Sequence, residues 1–230
     1  MPAEFSLFDA GCWYVVFLAS TTLHEASHAL AALKLGDDTA YRAGQVSLDP
    51  TPHIKRAPMG MVVVPVLFYF MAGYIVGWAS APYDPEWARA HPKRAGIMSA
   101  AGPCSNLLLA LIAALLIHLG TALGWFHIST NPYGAQVAIA LKEGVPHLLA
   151  VLLSITFSLN LILCCFNLLP VPPLDGSSLP LLFLSREAAE RYSGFLRHSG
   201  FALVGVIVAY RLFPAIFGPV EAMAMRVLFP

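Results

Sequence analysis

Five apolar stretches, roughly residues 6–33, 59–81, 96–124, 147–169 and 198–218, take up most of the chain, each close to the ~20 residues that cross a hydrocarbon core as a helix. In a bilayer the backbone must satisfy its own hydrogen bonds, so the predicted fold class is an all-α multi-spanning membrane protein. Composition agrees: of 230 residues, 58% are apolar and 11% charged, which fits a small membrane bundle better than a soluble domain. The N-terminus carries no basic n-region, and the first stretch is longer than a signal-peptide core, so it is expected to stay as a helix. With no repeat, low-complexity tract or long polar linker, residues 1–230 read as one integral-membrane domain. The 13 basic and 13 acidic side chains cancel, which argues against a nucleic-acid partner and leaves the lipid bilayer as the expected surroundings. Cys12, Cys104, Cys164 and Cys165 lie in apolar stretches without CxxC spacing and read as reduced packing residues.

Charge in the polar connectors, about Gly36–Pro58, Pro82–Ala95, Trp125–Pro146 and Ser185–Arg197, bears on topology. If all five stretches cross, the basic residues divide almost evenly: Arg89, Lys93, Arg94, Arg186, Arg191 and Arg197 against Lys34, Arg42, Lys55, Arg56 and Lys142. Suppose instead that 59–81, interrupted by Pro65, Gly73 and Gly77, re-enters the face it left. Ten of those eleven charges then share a face with only Lys142 opposite, and the positive-inside bias makes that face cytoplasmic. The expected architecture is therefore four crossing helices plus one re-entrant or broken segment.

Within the first stretch stands His24-Glu25-Ala26-Ser27-His28. On a helix the two histidines share a face, so both imidazoles can bind one zinc ion while Glu25 reaches a water on it. The competing reading is two histidines and a glutamate satisfied inside the bundle. It has to account for a carboxylate in a membrane helix, which costs about 2.5–3.5 kcal/mol on insertion scales.

A catalytic zinc site needs a third protein ligand. Among the thirteen acidic residues only Glu25 and Asp175 lie in apolar surroundings, which makes Asp175 the candidate. It sits in Asn167-Leu168-Leu169-Pro170-Val171-Pro172-Pro173-Leu174-Asp175-Gly176, where the prolines break the helix and allow an extended backbone. An ordinary loop-turn aspartate is the alternative. For His28 and Asp175 to meet, an even number of crossings must separate them, which again requires 59–81 to return. His28 and His24 lie six and ten residues from Lys34, or ~9–15 Å deep. A third constellation, Gly102-Pro103-Cys104-Ser105-Asn106, combines close backbone approach at Gly102 with an amide projecting into the bundle. Helix packing with an interhelical hydrogen bond is its other reading.

His24-Glu25-x-x-His28, Gly102-Pro103-x-x-Asn106 and Asn167 through Gly176 together resemble, in order, the site-2 protease family of intramembrane zinc metalloproteases. The likeness extends to Gly36–Ala40, Gly44–Pro50, Pro52-His53-Ile54 and Gly77-Trp78-Ala79, as in the short bacterial branch without a PDZ domain, and covers about residues 10–185. The resemblance implies hydrolysis of peptide bonds in or near the transmembrane segments of membrane-protein substrates, in a bacterial inner membrane with the site toward the cytoplasm. It also implies one zinc held by His24, His28 and Asp175, Glu25 as general base and later acid, Asn167 holding substrate or oxyanion, and Asn106 in a supporting catalytic role. The chain departs from relatives at Lys55, where they often carry an acidic residue, and at Ser80, near which they have a lysine.

The alternation Gln45-Val46-Ser47-Leu48 predicts a short strand or hairpin after the first helix, at the membrane edge, to which an extended substrate could add. Two rivals stand beside the protease: a non-catalytic zinc-binding membrane protein, either metal carrier or pseudoprotease, and a membrane-anchored zincin acting on soluble peptides. Glu25 argues against the first, because a carrier has no need of a base, and the lack of a polar domain argues against the second. His53, His91, His118, His127, His147 and His198 have no spaced partner and read as packing or interfacial residues.

Overall fold

The structure, a computed structural model, describes residues 6–72, 75–129, 136–196 and 200–229, the side chains of 200–203 excepted; Gly73, Arg197 and His198 of the sequence analysis lie outside it. Helix α1 (Leu7–Leu35) is capped by Ser6, whose hydroxyl accepts from the Asp9 amide, and stops at Gly36, whose φ of 104° lies in the left-handed region. Two short helices follow, α2 (Thr39–Arg42) and α3 (Pro50–Arg56), the latter started by Asp49 accepting from the Thr51 amide and by Pro50 in its first turn.

No strand forms between them, which corrects the hairpin expected after the first helix. The Gln45 side chain donates to the Pro52 carbonyl at 2.9 Å, and the Gln45 amide donates to the Ala40 carbonyl at 2.9 Å, so local bonds use the groups a ladder would need. Nearby, the buried Asp37 accepts from the Thr39 amide (2.9 Å), the Thr39 hydroxyl (2.6 Å) and the Asp84 amide (2.9 Å), tying this connector to the one before α5 (Pro85–Ala90). Burial raises its pKa, but those donors outweigh burial and hold the carboxyl below its ordinary 3.8.

Stretch 59–81 doubles back. A π-helical turn at Met59–Val63 runs into α4 (Val64–Ala72), bent by 111° from α3. The chain then returns along α4 until the Trp78 amide donates to the Gly60 carbonyl at 3.1 Å, while Arg56 donates to the Ser80 carbonyl at 2.8 Å. Gly60 is required here, because a Cβ on it would collide with the Trp78 backbone. Entrance and exit of the stretch therefore lie side by side.

The site rests on three long helices. Helix α6 (Pro92–Ala122) runs antiparallel to α1: Arg94 donates to the Leu35 carbonyl, and His24 meets Asn106. Helix α7 (Val145–Asn167) runs parallel to α1, with Cys12, Val16 and Phe17 packed on Val151, Ile155 and Leu159. The C-terminal ends of α1 and α7 consequently share one end of the bundle, and the segment after α7, the 3-10 helix Asp175–Leu182, folds under α6. Between α6 and α7 lies a two-stranded antiparallel sheet, β1 (Phe126–Ile128) and β2 (Ala138–Ala140), with His127 opposite Ile139. Helix α8 (Arg186–Leu196) precedes α9 (Gly200–Leu228), which runs back along α7 with Phe213 edge-on to Phe166 and Phe229 edge-on to Phe157, each at 5.2 Å.

Among the described residues three helices are long and apolar enough to cross a membrane: Pro92–Ala122, Val145–Asn167 and Val204–Leu228. Length and apolar content by themselves thus mark three crossing helices rather than the expected four. α1, with 29 residues, has the length, but Ser20, Thr21, Thr22, His24, Glu25 and His28 dilute its apolar content, and all six are buried inside the bundle. The last helix also runs through Pro214 and Pro219 to Leu228 rather than ending near 218.

Candidate metal centre

His24 and His28 lie one turn apart on the face of α1 that α6 covers, and their rings meet edge to face with centroids 4.6 Å apart. Each ring is anchored through its outer nitrogen. The His28 Nδ1–H donates to the Met98 carbonyl at 2.7 Å, and His24 Nδ1 stands 2.5 Å from Asn106 Oδ1. Both acceptors belong to α6, which carries Gly102 between them. A Cβ on Gly102 would collide with Nε2 of both histidines, so the absence of a side chain there makes room for the pair.

A neutral ring with its proton on the outer nitrogen turns the lone pair of its inner nitrogen inward, and the two inner nitrogens converge. The two Nε2 atoms are 3.0 Å apart, and the Asp175 carboxylate closes the triangle with Oδ2 at 3.2 Å from His24 and Oδ1 at 3.3 Å from His28. Asp175 Oδ2 is buried and accepts no hydrogen bond among the described residues, so the site brings a carboxylate and two imidazole nitrogens together around an unsatisfied oxygen. Such a cluster is unfavourable until a cation occupies it, and two imidazoles with one carboxylate form a borderline-soft set suited to zinc. His24, His28 and Asp175 are also the group among the described residues whose ligand atoms all lie within 4.8 Å of one another. The prolines ahead of Asp175 follow the end of α7, but the extended backbone expected there is not formed: the chain runs in tight turns, the Val171 amide donating to the Leu169 carbonyl at 2.8 Å and the Leu174 amide to the Val171 carbonyl at 3.0 Å, before Leu174 (ψ 153°) leads into the aspartate.

Glu25 is 6% exposed and makes no ion pair among the described residues. Asn106 is fully buried and bonded to His24, with its Nδ2 donating to Asn160 Oδ1 at 2.8 Å. Asn167 closes α7 with its amide donating to the Leu163 carbonyl at 3.0 Å; among the described residues it makes no hydrogen bond to the cluster. The Met98 carbonyl and Asn160 were not singled out from sequence. A backbone carbonyl has no residue signature, and Asn160 is an isolated amide in an apolar helix. The intramembrane asparagine was itself the available signal, since such a group requires a partner.

A family model described as Peptidase family M50 matches residues 13–207. "Putative zinc metalloprotease YwhC" of Bacillus subtilis is 38% identical over 164 residues, which make up 70% of this chain and 64% of that protein. "Putative zinc metalloprotease Rip2" is 27% identical in Mycolicibacterium smegmatis, over 84% of this chain and 64% of that one. In Mycobacterium tuberculosis strain H37Rv it is 30% identical over 70% and 52%. The chain thus spans between about half and two thirds of the length of these relatives. No solved structure matches.

Proposed function

The chain belongs to peptidase family M50, and from that premise we propose that it is an intramembrane zinc metalloprotease that hydrolyses peptide bonds in or near transmembrane segments of membrane-protein substrates. The observation that carries this reading is the triangle of three lone-pair donors, each of its two rings held from behind.

His24, His28 and Asp175 are the proposed ligands of one zinc ion. When bound, that ion supplies polarisation of the scissile carbonyl and a lowered pKa for the attacking water. Glu25 takes the proton from that water and afterwards returns it to the leaving amine; its burial, with no ion pair among the described residues, keeps it available for both transfers. Asn167, at the mouth of the segment that carries Asp175, is proposed to hold substrate or the developing oxyanion. Asn106 acts from behind His24.

For the membrane we propose that α1, α6, α7 and α9 cross while 59–81 re-enters, which puts the basic connectors on the cytoplasmic face of a bacterial inner membrane. The adjacency of Gly60 and Trp78 supports the re-entry.

The decisive experiment needs no known substrate. Detergent-purified protein should hold close to one zinc per chain, and Asp175→Ala, prepared alike, far less. Glu25→Gln should keep the metal while cleavage of a membrane substrate is abolished. Little metal in a well-folded parent would sink the reading. Metal transport that survives Glu25→Gln, with no cleavage by the parent, would make it a metal carrier, and cleavage that survives would remove Glu25 as the base.

A further inference from the structure

The hydrogen-bonded chain behind His24 has a direction, and we propose that Asn160, acting through Asn106, holds the His24 ring as the tautomer protonated at Nδ1. Asn160 is on this account a positioning residue of the site. The proposal rests on His24 being a metal ligand, as read above.

The direction starts at a group that cannot be reversed. Asn160 lies with one end of its amide 2.9 Å from the Thr156 carbonyl, one turn back in α7, and 2.8 Å from the Ser20 hydroxyl. A carbonyl only accepts, so the nitrogen of Asn160 must face it. Oδ1 is thereby turned to Asn106, whose amide stands 2.8 Å away. An amide oxygen also only accepts, so Asn106 must offer its nitrogen there and its oxygen to His24, 2.5 Å from Nδ1. The imidazole then carries its proton at Nδ1 and leaves the Nε2 lone pair facing His28 and Asp175.

Reversing any amide sets oxygen against oxygen in a region that water does not relieve: Ser20 is 2% exposed, and Asn106 and Asn160 are 0% exposed. The two histidines explain why the extra residue exists. His28 leans on the Met98 backbone carbonyl, which has one polarity, whereas His24 leans on a side-chain amide, which has two. Only the second arrangement needs an outside reference, and α7 supplies it.

The test is a tautomer measurement on metal-free protein labelled with 15N-histidine, the His24 ring being assigned by its loss in His24→Gln. The parent should show His24 protonated at Nδ1. Asn160→Leu and the smaller Asn160→Ala free the Asn106 amide to turn, so His24 should shift toward the Nε2-protonated form and zinc affinity should fall by about 10–100-fold, the range for lost outer partners of metal-bound histidines. Ser20→Ala disturbs the same buried cluster but leaves the Thr156 carbonyl in place, and should change neither quantity appreciably. A parent with His24 protonated at Nε2 overturns the proposal, whatever the variants do. So does an unchanged tautomer in whichever Asn160 variant folds, or a shift as large in Ser20→Ala. A parent that binds no zinc would instead defeat the protease reading, and the metal-free spectra would still decide the tautomer.

Discussion

The two halves of α6 face neighbours on α1 and α7 by opposite means. From Met98 to Asn106 the contacts are directed: a backbone carbonyl to one histidine, an amide to the other, and a bare glycine between them. From Ala110 to Ile117 they are undirected, with Ala110, Ala113, Ala114 and Ile117 packed against Phe157 and Leu161 of α7 and against Phe126 beyond the helix end. Small residues let helices approach closely where lipid is as apolar as the side chains. The first half should therefore fail at a single misplaced atom, and the second should degrade in proportion to volume lost.

Gly102→Ala strikes the directed half and should have the largest effect: near-complete loss of bound zinc, with helical content retained, measured as metal per chain beside circular dichroism. Normal zinc in that variant would mean that the two rings are not confined as described. Ile117→Ala, at a position 0% exposed in the undirected half, should cost about 2–5 kcal/mol of stability, the range for such truncations, while the folded fraction still binds one zinc. Zinc lost in step with Ile117 would erase the distinction between the halves.

The smallest effect lies outside both, at Asp37. Its folded pKa is below the ordinary 3.8, so its contribution to stability is present above that value and lost as pH falls through the lower, folded one. Thermal stability below about pH 4 should accordingly decline less steeply in Asp37→Asn than in the parent. Parallel acid limbs would show that Asp37 does not fasten the connectors.

The same contrast explains what could be read from the sequence. The meeting of His24 and His28 was legible because one helical turn brings them together without tertiary information, and that of Asp175 with them because a carboxylate in apolar surroundings has few reasons to be there. The ring anchors were not. Met98 contributes only its backbone, and Asn160 lies 54 residues from Asn106 and 140 from Ser20, so no local pattern joins them. The closeness of Gly60 and Trp78 agrees with a re-entrant 59–81, an expectation that came from the charges around the segment together with its interruptions at Pro65, Gly73 and Gly77. The strand expected at Gln45–Leu48 failed because alternation over four residues is weak against a proline-started helix immediately after it. The strands that do form, Phe126–Ile128 and Ala138–Ala140, are three residues each and depend on Ser154 of α7, whose hydroxyl accepts from the Val137 and Ala138 amides.

The bond between Trp78 and Gly60 also closes a loop at its base. A loop tied at its neck separates its own length from the register of everything outside it, and lengthening a flexible loop costs only about 0.6 kcal/mol per doubling. The outward face of the excursion, with Leu67, Phe70 and Met71 exposed, can therefore change without moving His24 relative to Asp175. That makes it the part of this architecture in which variation is cheapest, and a natural place for related chains to differ while keeping one chemistry.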